Sequence, residues 1–261
     1  MRRNRFISVV QGAALLLSLV FAFSSPGGAA AAGSTTVTIS VPSQVEPGET
    51  FTVGIAVTPG EEIAGVQFDL AFDTALLTAD NVQEGNLLSQ AGASTYFNEG
   101  ATGVGAISGV VGVIITPGET VSAAGIFAIA TFTAGTDGGS CLFTLSNVVV
   151  GDIDGQSLPV TVVNGQVDIN QPPVLTPIGN KSIDEGVLIE FTISAIDPDG
   201  DGLTYSALSL PAGASFNPQT GVFSWQPNYA QAGTYAGIRF EVSDGSLTDF
   251  ELISITVNQP L

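Results

Sequence analysis

The sequence predicts an all-β protein made of two successive β-sandwiches. The chain of 261 residues contains 32 Gly and 14 Pro, residue types that end regular elements and favour turns. Apolar and polar residues alternate with a period of two in many short segments, as in strands that bury one face. Long amphipathic helical patterns are absent. Together these observations favour many short strands joined by Gly- and Pro-rich turns.

The predicted strands of the first sandwich follow one another from residue 34 to residue 170. The clearest is VQFDLAFD, in which Val66, Phe68 and Leu70 share one face while Gln67 and Asp69 lie on the other. The segment TALLTADNV (74–82) is predicted to hold a short turn, and the uncharged stretch at 103–116 is read as β structure. The other strands are TVTISV (36–41), TFTVGIAV (50–57), GIFAIATF (125–132), LFTLSNVVV (142–150) and QVDI (166–169). About nine strands of this kind predict two packed sheets.

Three segments organise the chain. Residues 1–32 combine a basic start, a short apolar stretch and a run of small residues, which is typical of a secretory signal peptide. The linker INQPPVLTP (169–177) separates the first sandwich from a second module at 171–261, for which we expect about seven strands. We expect no transmembrane span once the signal is cleaved. The final VNQPL echoes the linker and suggests a larger modular protein.

The charge and residue inventory excludes several functions. The chain has 24 acidic and 5 basic residues, so nucleic acid is an unsuitable partner. It has no His, the commonest general base and zinc ligand. Cys141 alternates with Phe143 and Leu145, which predicts a buried thiol. Because no motif frames a pair of catalytic carboxylates, we expect no enzymatic activity.

Four segments of the first module resemble the successive blocks of a cohesin domain. In order they are VEPGETFTVGIAV, IAGVQFDLAFDTALL, AAGIFAIATF and LSNVVVGDIDGQSLPVTVVNGQV. The resemblance implies a nine-stranded jelly roll. It also implies binding to dockerin modules, which carry paired calcium loops and assemble extracellular polysaccharide-degrading complexes.

The same resemblance implies a binding face on the solvent side of the IAGVQFDLAFD strand and its neighbours. The candidate partner-binding residues are Gly65, Gln67, Asp69, Ile114, Thr116 and Glu119. The best-known cohesins carry Asn and Asp where this chain has Gly65 and Gln67. The alternative is that all six are ordinary outward-facing strand residues.

The second module contains KSIDEGVLIEFTISAIDPDGDGLTYSA and resembles cadherin-like, dystroglycan-type immunoglobulin modules. An EF-hand is excluded, because Leu208 stands where its last loop position requires Glu. The cadherin-like resemblance instead implies a calcium ion at one pole of the module, near the linker. Its candidate ligands are Glu185, Asp197, Asp199, Asp201 and Asp244. The alternative is a solvated acidic turn whose Asp and Gly residues suit turn geometry.

The favoured function is a non-catalytic, secreted or cell-surface adaptor that binds dockerin-bearing proteins and carries an Ig-like spacer or adhesion module. Carbohydrate binding or surface adhesion is the alternative. Polysaccharide sites usually present several exposed aromatic rings, and the first module has no Trp and one Tyr, Tyr96.

Overall fold

The computed structural model describes residues 33–259, so the predicted signal peptide lies outside the described residues. A short 3-10 helix occupies Gln90–Gly92, and no helix within 33–259 is long and apolar enough to cross a membrane. The strands of the first module are β1 (Thr35–Ser40), β2 (Gln44–Val45), β3 (Thr50–Thr58), β4 (Gly65–Ala71), β5 (Leu77–Glu84), β6 (Thr95–Asn98), β7 (Ala101–Gly103), β8 (Ala106–Ile114), β9 (Gly125–Ala134), β10 (Gly139–Gly151), β11 (Val160–Val163) and β12 (Gly165–Ile169).

These strands form two sheets that pack face to face. One sheet has five strands in the order β11-β1-β3-β9-β5. The other has seven, in the order β2-β12-β10-β4-β8-β6, with β7 also paired to β8. The order places β4 in the interior of the larger sheet, paired antiparallel with β10 on one side and β8 on the other. The predicted all-β sandwich is confirmed.

The core between the two sheets is rich in phenylalanine, and Phe132 of β9 lies at its centre. Its side chain is fully buried and contacts the rings of Phe72 and Phe143, each at a centroid distance of 5.0 Å. The Phe51 ring stacks on it at 6.1 Å. Phe143 lies on β10 of the larger sheet and Phe72 directly follows β4, so these edge-to-face contacts join the two layers.

Period-two alternation located most of these strands, and β5 shows where it did not. The segment at 74–82 was predicted to hold a short turn, and the turn occupies its first residues. From Leu77 onward the chain is a full strand that pairs with β9. Its polar residues hide the strand pattern because β5 is an edge strand, so several of its side chains face solvent.

The second module has nine strands in three sheets. They are β13 (Val174–Leu175), β14 (Lys181–Asp184), β15 (Ile189–Thr192), β16 (Ala195–Ile196), β17 (Thr204–Leu208), β18 (Ser215–Asn217), β19 (Val222–Trp225), β20 (Gly233–Ser243) and β21 (Thr248–Asn258). A four-stranded sheet has the order β14-β21-β20-β17 and a three-stranded sheet the order β15-β19-β18. The pair β13-β16 closes the end next to the linker.

The core of this module is also aromatic. Trp225 is 1% exposed, and its indole Nε1–H donates to the carbonyl oxygen of Ala212 at 3.2 Å. The Tyr235 ring meets it edge to face at a centroid distance of 4.9 Å. Phe223 and Phe240 are fully buried beside it. The single Trp of the chain is therefore a structural residue of the second core.

The predicted buried thiol is also confirmed. Cys141 lies on β10 and is fully buried in the first core. Burial raises the pKa of the thiol, although the backbone N–H of Asp73 partly offsets this by donating to Sγ at 3.4 Å. A thiol in this state is a packing group with low reactivity.

Candidate partner-binding face

The solvent side of the seven-stranded sheet around β4, which we call the β4 face, contains the first predicted site residues. Residues on β4 alternate strictly, with Gly65, Gln67 and Asp69 half-buried on the solvent side. Strand pairing then fixes their neighbours. One cross-strand row is Tyr96, Val113, Gly65 and Gly151, and the next is Asn98, Val111, Gln67 and Val149.

Gly65 forms the floor of a shallow depression in this face, which we call the Gly65 cleft. The space inside it, including its open mouth, is about 360 Å³. The residues that line the cleft include Gly65, Gln67, Val111, Val113, Val149 and Asp152. A Cβ atom at position 65 would lie 3.0 Å from Cγ1 of Val113 and 3.2 Å from the carbonyl oxygen of Gly112. A side chain at position 65 would therefore displace Val113, so this strand position favours glycine.

Asp69 has a structural role that the alternation alone does not reveal. Its Oδ1 accepts from the backbone N–H of Gly109, and its Oδ2 accepts from the Asn147 side-chain amide, both at 2.6 Å. The register of β4 shifts at this level on both sides, against β8 and against β10. Asn147 has φ +50° and Gly109 has φ +75°, values typical of β-bulges. Asp69 thus fixes two bulges that flank it.

The predictions on the neighbouring strand were wrong for Ile114, which is 7% exposed and packs in the core. The bulge at Gly109 inserts one residue into β8 and exchanges the two faces beyond it. As a result Val111 and Val113 point to solvent and Ile114 points inward.

Thr116 and Glu119 lie in the turn beyond β8, outside the strand face. The Thr116 hydroxyl accepts from the backbone N–H of Ser94 at 2.8 Å. The backbone N–H of Glu119 donates to the carbonyl oxygen of Thr116 at 3.3 Å. Sequence reasoning missed Tyr96, Val113 and Val149. The signal that could have found the valines is the Ser-Gly pair at 108–109, which favours a bulge.

The acidic residues predicted to share one pole of the second module are separated by the structure. Glu185 is 6% exposed, and its backbone N–H donates to the carbonyl oxygen of Asn258, at the end of β21. Asp244 lies in the hairpin before the start of the same strand. β21 has eleven residues, so ten steps of about 3.3 Å place its two ends roughly 33 Å apart. Grouping Glu185 with the other acids was therefore wrong, because β14 pairs in parallel with the far end of β21.

Three of the other four acids, Asp199, Asp201 and Asp244, accept hydrogen bonds at the junction between the modules. Asn170 of the linker is 3% exposed and is the centre of this junction. Its Nδ2 donates to Glu46 Oε2 and to Asp244 Oδ2, both at 3.3 Å, and its Oδ1 accepts from Gln44 Nε2 at 3.2 Å. Gln44 also donates to Asp201 Oδ2 at 3.2 Å.

Gln171 makes a second bridge across the junction. Its backbone N–H and its Nε2 donate to the two carboxylate oxygens of Asp199, at 2.7 Å and 3.1 Å. Asp197 Oδ1 accepts from the backbone N–H groups of Asp199 and Asp201, which shapes the acidic loop itself. Three carboxamides thus hold carboxylates from both modules.

The fit of these residues to calcium can be judged from their donors. In Asp199, Asp201 and Asp244 the carboxylates accept hydrogen bonds from N–H groups. Asp197 Oδ2 is shielded from solvent without a partner. Within 33–259 no group of three or more Asp, Glu, Cys or His side chains is arranged to hold a metal ion. The carboxylates are not gathered around one metal position in the described residues, and calcium binding stays a prediction.

Hydrogen bonding also explains the acidity of Asp244. Burial raises its pKa, but the backbone N–H groups of Leu247 and Ser246 and the amide of Asn170 act in the opposite direction. The donors prevail, and the pKa of Asp244 lies below its usual value. The carboxylate is therefore stabilised in its charged form at the junction.

Comparisons with known proteins agree with this architecture. A sequence model described as "Cohesin domain" matches residues 35–169, and one described as "Putative Ig domain" matches residues 172–258. No curated protein matches the chain.

Among solved structures, a non-cellulosomal cohesin from the archaeon Archaeoglobus fulgidus is 22% identical, with a TM-score of 0.42, over 53% of this chain and 92% of its own. The sixth cohesin of Acetivibrio cellulolyticus scaffoldin B, solved in complex with a Cel5 dockerin, is 17% identical, with a TM-score of 0.44, over 52% and 99%. A cohesin module from a Clostridium perfringens family 33 glycoside hydrolase is 13% identical, with a TM-score of 0.44, over 53% and 98%. Because the cohesin match spans the whole first sandwich, from β1 to β12, this chain belongs to the cohesin family and carries an Ig-like module behind its cohesin domain.

Proposed function

We propose that this chain is a non-catalytic adaptor that acts outside the cell and binds a dockerin-bearing protein through the β4 face. The observation that carries the proposal is the family membership of residues 35–169. The cohesin resemblance implies dockerin binding on this side of the sheet, and the structure of the β4 face supports that role. The face offers exposed apolar groups beside fixed polar ones, as protein interfaces do.

Asp69 of the β4 face is held in place before any partner arrives. Both oxygens of Asp69 are engaged by neighbouring strands. Gln67 stands between Val111 and Val149, which flank it across the ladder. Side chains with little freedom to lose make association less costly in entropy.

The Ig-like module serves as a spacer in this proposal. It contacts the cohesin domain through Asn170 and Gln171, at the edge of the larger sheet that ends in β2. That contact lies away from Gln67 in the interior of the sheet. The β4 face therefore stays open to a partner when the junction is formed.

Calorimetric titration of the purified two-module chain with dockerin modules of the same organism tests the proposal. We expect a dissociation constant below about 1 μM, which corresponds to about −8 kcal/mol. Gln67→Lys should weaken binding about tenfold or more. Thr52→Lys makes the same charge change on an exposed residue of the opposite sheet and should leave binding unchanged. Absence of binding to every dockerin, or equal effects of both variants, would refute the proposal.

A further inference from the structure

One flank of the second module carries no charge, although the formal net charge of the chain is -19. Residues 202–238 contain no Asp, Glu, Lys or Arg, and no other uncharged stretch within 33–259 is as long. This segment supplies the strands β17, β18 and β19. Because two copies of an acidic chain repel each other, an uncharged surface is the place where they can approach most closely.

The strands β17 and β18 are edge strands on the same side of the second sandwich. β17 ends the four-stranded sheet and β18 ends the three-stranded sheet. At the opposite edges, Lys181 Nζ of β14 lies 5.5 Å from the centroid of the Phe191 ring of β15. The Phe216 ring of β18 lies 5.7 Å from the ring of Phe240 on β20, which is the neighbour of β17. We call the surface formed by β17, β18 and the connecting residues 209–214 the neutral flank.

Within the neutral flank, β17 offers a free edge to another strand. It pairs antiparallel with β20 on one side only, so the backbone N–H and C=O groups on its other side have no strand partner within the described residues. Thr204 is exposed, and Leu208 is 55% exposed. Tyr205 anchors the strand, because its ring packs against the core and its hydroxyl accepts from the backbone N–H of Ala195 at 3.1 Å. The edge is therefore open and already extended.

The other edge strands of the second module have features that oppose strand addition. β14 contains Lys181 and Asp184, and β15 contains Glu190. β18 has three residues and is followed directly by Pro218, which has no N–H to donate. Charge, short length and proline are the usual protections of a sheet edge. β17 has five uncharged residues and no proline, so it is the edge of this module that suits strand addition.

We propose that β17 pairs antiparallel with β17 of a second copy of this chain, so that the two four-stranded sheets continue as one sheet across a two-fold axis. Pairing over the full strand Thr204–Leu208 places its middle residue, Ser206, opposite Ser206 of the second copy. Each Thr204 then lies opposite a Leu208, whose exposed side chain is partly covered.

The dimer is small and weak. Four steps of about 3.3 Å give a paired strand length of about 13 Å, so the contact lies at the low end of the sizes of specific interfaces. Dimerisation nevertheless brings two cohesin domains into one particle. It thereby raises the apparent affinity for a partner that carries two binding modules. The inference goes beyond the proposed function and does not depend on it.

Analytical ultracentrifugation of the two-module chain over a range of concentrations tests the inference. We expect a monomer–dimer equilibrium with a dissociation constant of about 10–100 μM. Ser206→Lys places two like charges opposite each other at the two-fold axis and should weaken dimerisation about tenfold or more. The folded monomer accepts this change, because Ser206 lies on the solvent side of the sheet next to Glu241 of β20.

The matched control is Ser254→Lys. Ser254 is half-buried like Ser206, but it lies on β21 in the interior of the same sheet. The variant therefore adds the same charge to the same module away from the β17 edge, and we expect its dimerisation to be unchanged. Thermal melting of each variant verifies folding.

A mixture of two variants provides the most specific measurement. Ser206→Glu should also weaken dimerisation, because two carboxylates would meet at the axis. An equimolar mixture of Ser206→Lys and Ser206→Glu should associate about tenfold or more tightly than either variant alone, because opposite charges then meet. This recovery requires residue 206 of one copy to face residue 206 of the other, which a structural effect of either substitution does not produce.

Each possible result supports or overturns the inference. If the unaltered chain is monomeric up to about 0.5 mM, or if Ser206→Lys dimerises as tightly as the unaltered chain, the inference is wrong. Equal losses in Ser206→Lys and Ser254→Lys, or a mixture that shows no recovery, would also overturn it. None of these results depends on dockerin binding, which the Gln67→Lys titration measures separately.

Discussion

Replacing Asn170 by Ala should weaken the contact between the two modules. The change removes the hydrogen bonds of the Asn170 amide to Gln44, Glu46 and Asp244. A hydrogen bond to a charged group contributes about 1.5–3 kcal/mol, but water can replace part of this for half-buried carboxylates. We therefore expect the free energy of unfolding to fall by about 2 kcal/mol.

Urea denaturation followed by the fluorescence of Trp225, the single tryptophan, measures this loss in the second module. Unfolding of that module breaks the junction, so the junction contributes to its midpoint. With a urea dependence of about 1.5 kcal/mol per molar, the midpoint should fall by about 1 M or slightly more.

The matched control is Asn258→Ala, which truncates the same amide at the far end of the module. Its Nδ2 donates to Ser182 and Asp184, which are exposed, at 3.0 Å and 3.2 Å. We expect this control to cost no more than about 0.5 kcal/mol. If Asn170→Ala lowers the midpoint no further than Asn258→Ala does, the Asn170 contacts contribute nothing to stability and the reasoning is refuted.

Four other predictions follow from the described contacts. The pKa of Asp244 is lowered in the folded chain, so its stabilising contribution is complete above the usual carboxyl pKa and is lost as pH falls through the lower folded-state pKa. As pH falls through that acid range, the urea midpoint should decrease less steeply in Asp244→Asn than in the unaltered chain. Equal slopes would contradict the lowered pKa of Asp244. Phe132→Ala should cost about 3–5 kcal/mol in chemical denaturation, because it opens a cavity between the two sheets; a loss below about 1 kcal/mol would show that the core refills. Cys141 should resist thiol reagents until the chain unfolds, and mass spectrometry that detects rapid labelling of the native protein would contradict its burial. Because the acidic side chains within 33–259 are not gathered around one metal position, the melting temperature should be the same in calcium and in chelator; a calcium-dependent rise that Asp197→Asn abolishes would instead establish the predicted site.

The alternation of apolar and polar residues correctly predicted which strand residues of the first module face the core. This prediction needs only the two-residue period of a strand. Val66, Phe68 and Leu70 are buried as the pattern requires. Ile114 shows the limit of the same reasoning. Its face depends on a bulge several residues earlier, at Gly109, and a single inserted residue reverses every later position.

The second limit of the sequence predictions concerned which residues, distant in the sequence, lie close together in the fold. The acidic residues of the second module were predictable as loop residues, but their grouping depends on which strands pair. Glu185 follows β14, whose partner is the far end of β21, so it lies away from Asp197 and Asp244. The contacts of Asn170 and Gln171 at the junction depend on how the two modules meet. The strand period and the amino-acid composition do not predict that arrangement.

The parallel strand pairs near the start and end of each module have a mechanical consequence. In the first module β1 pairs in parallel with β11 and β2 with β12, and in the second β14 pairs in parallel with β21. Tension along the chain would pull the strands of such a pair past each other and load their hydrogen bonds in shear, all at once. In both domains, stretching would therefore have to break several hydrogen bonds together.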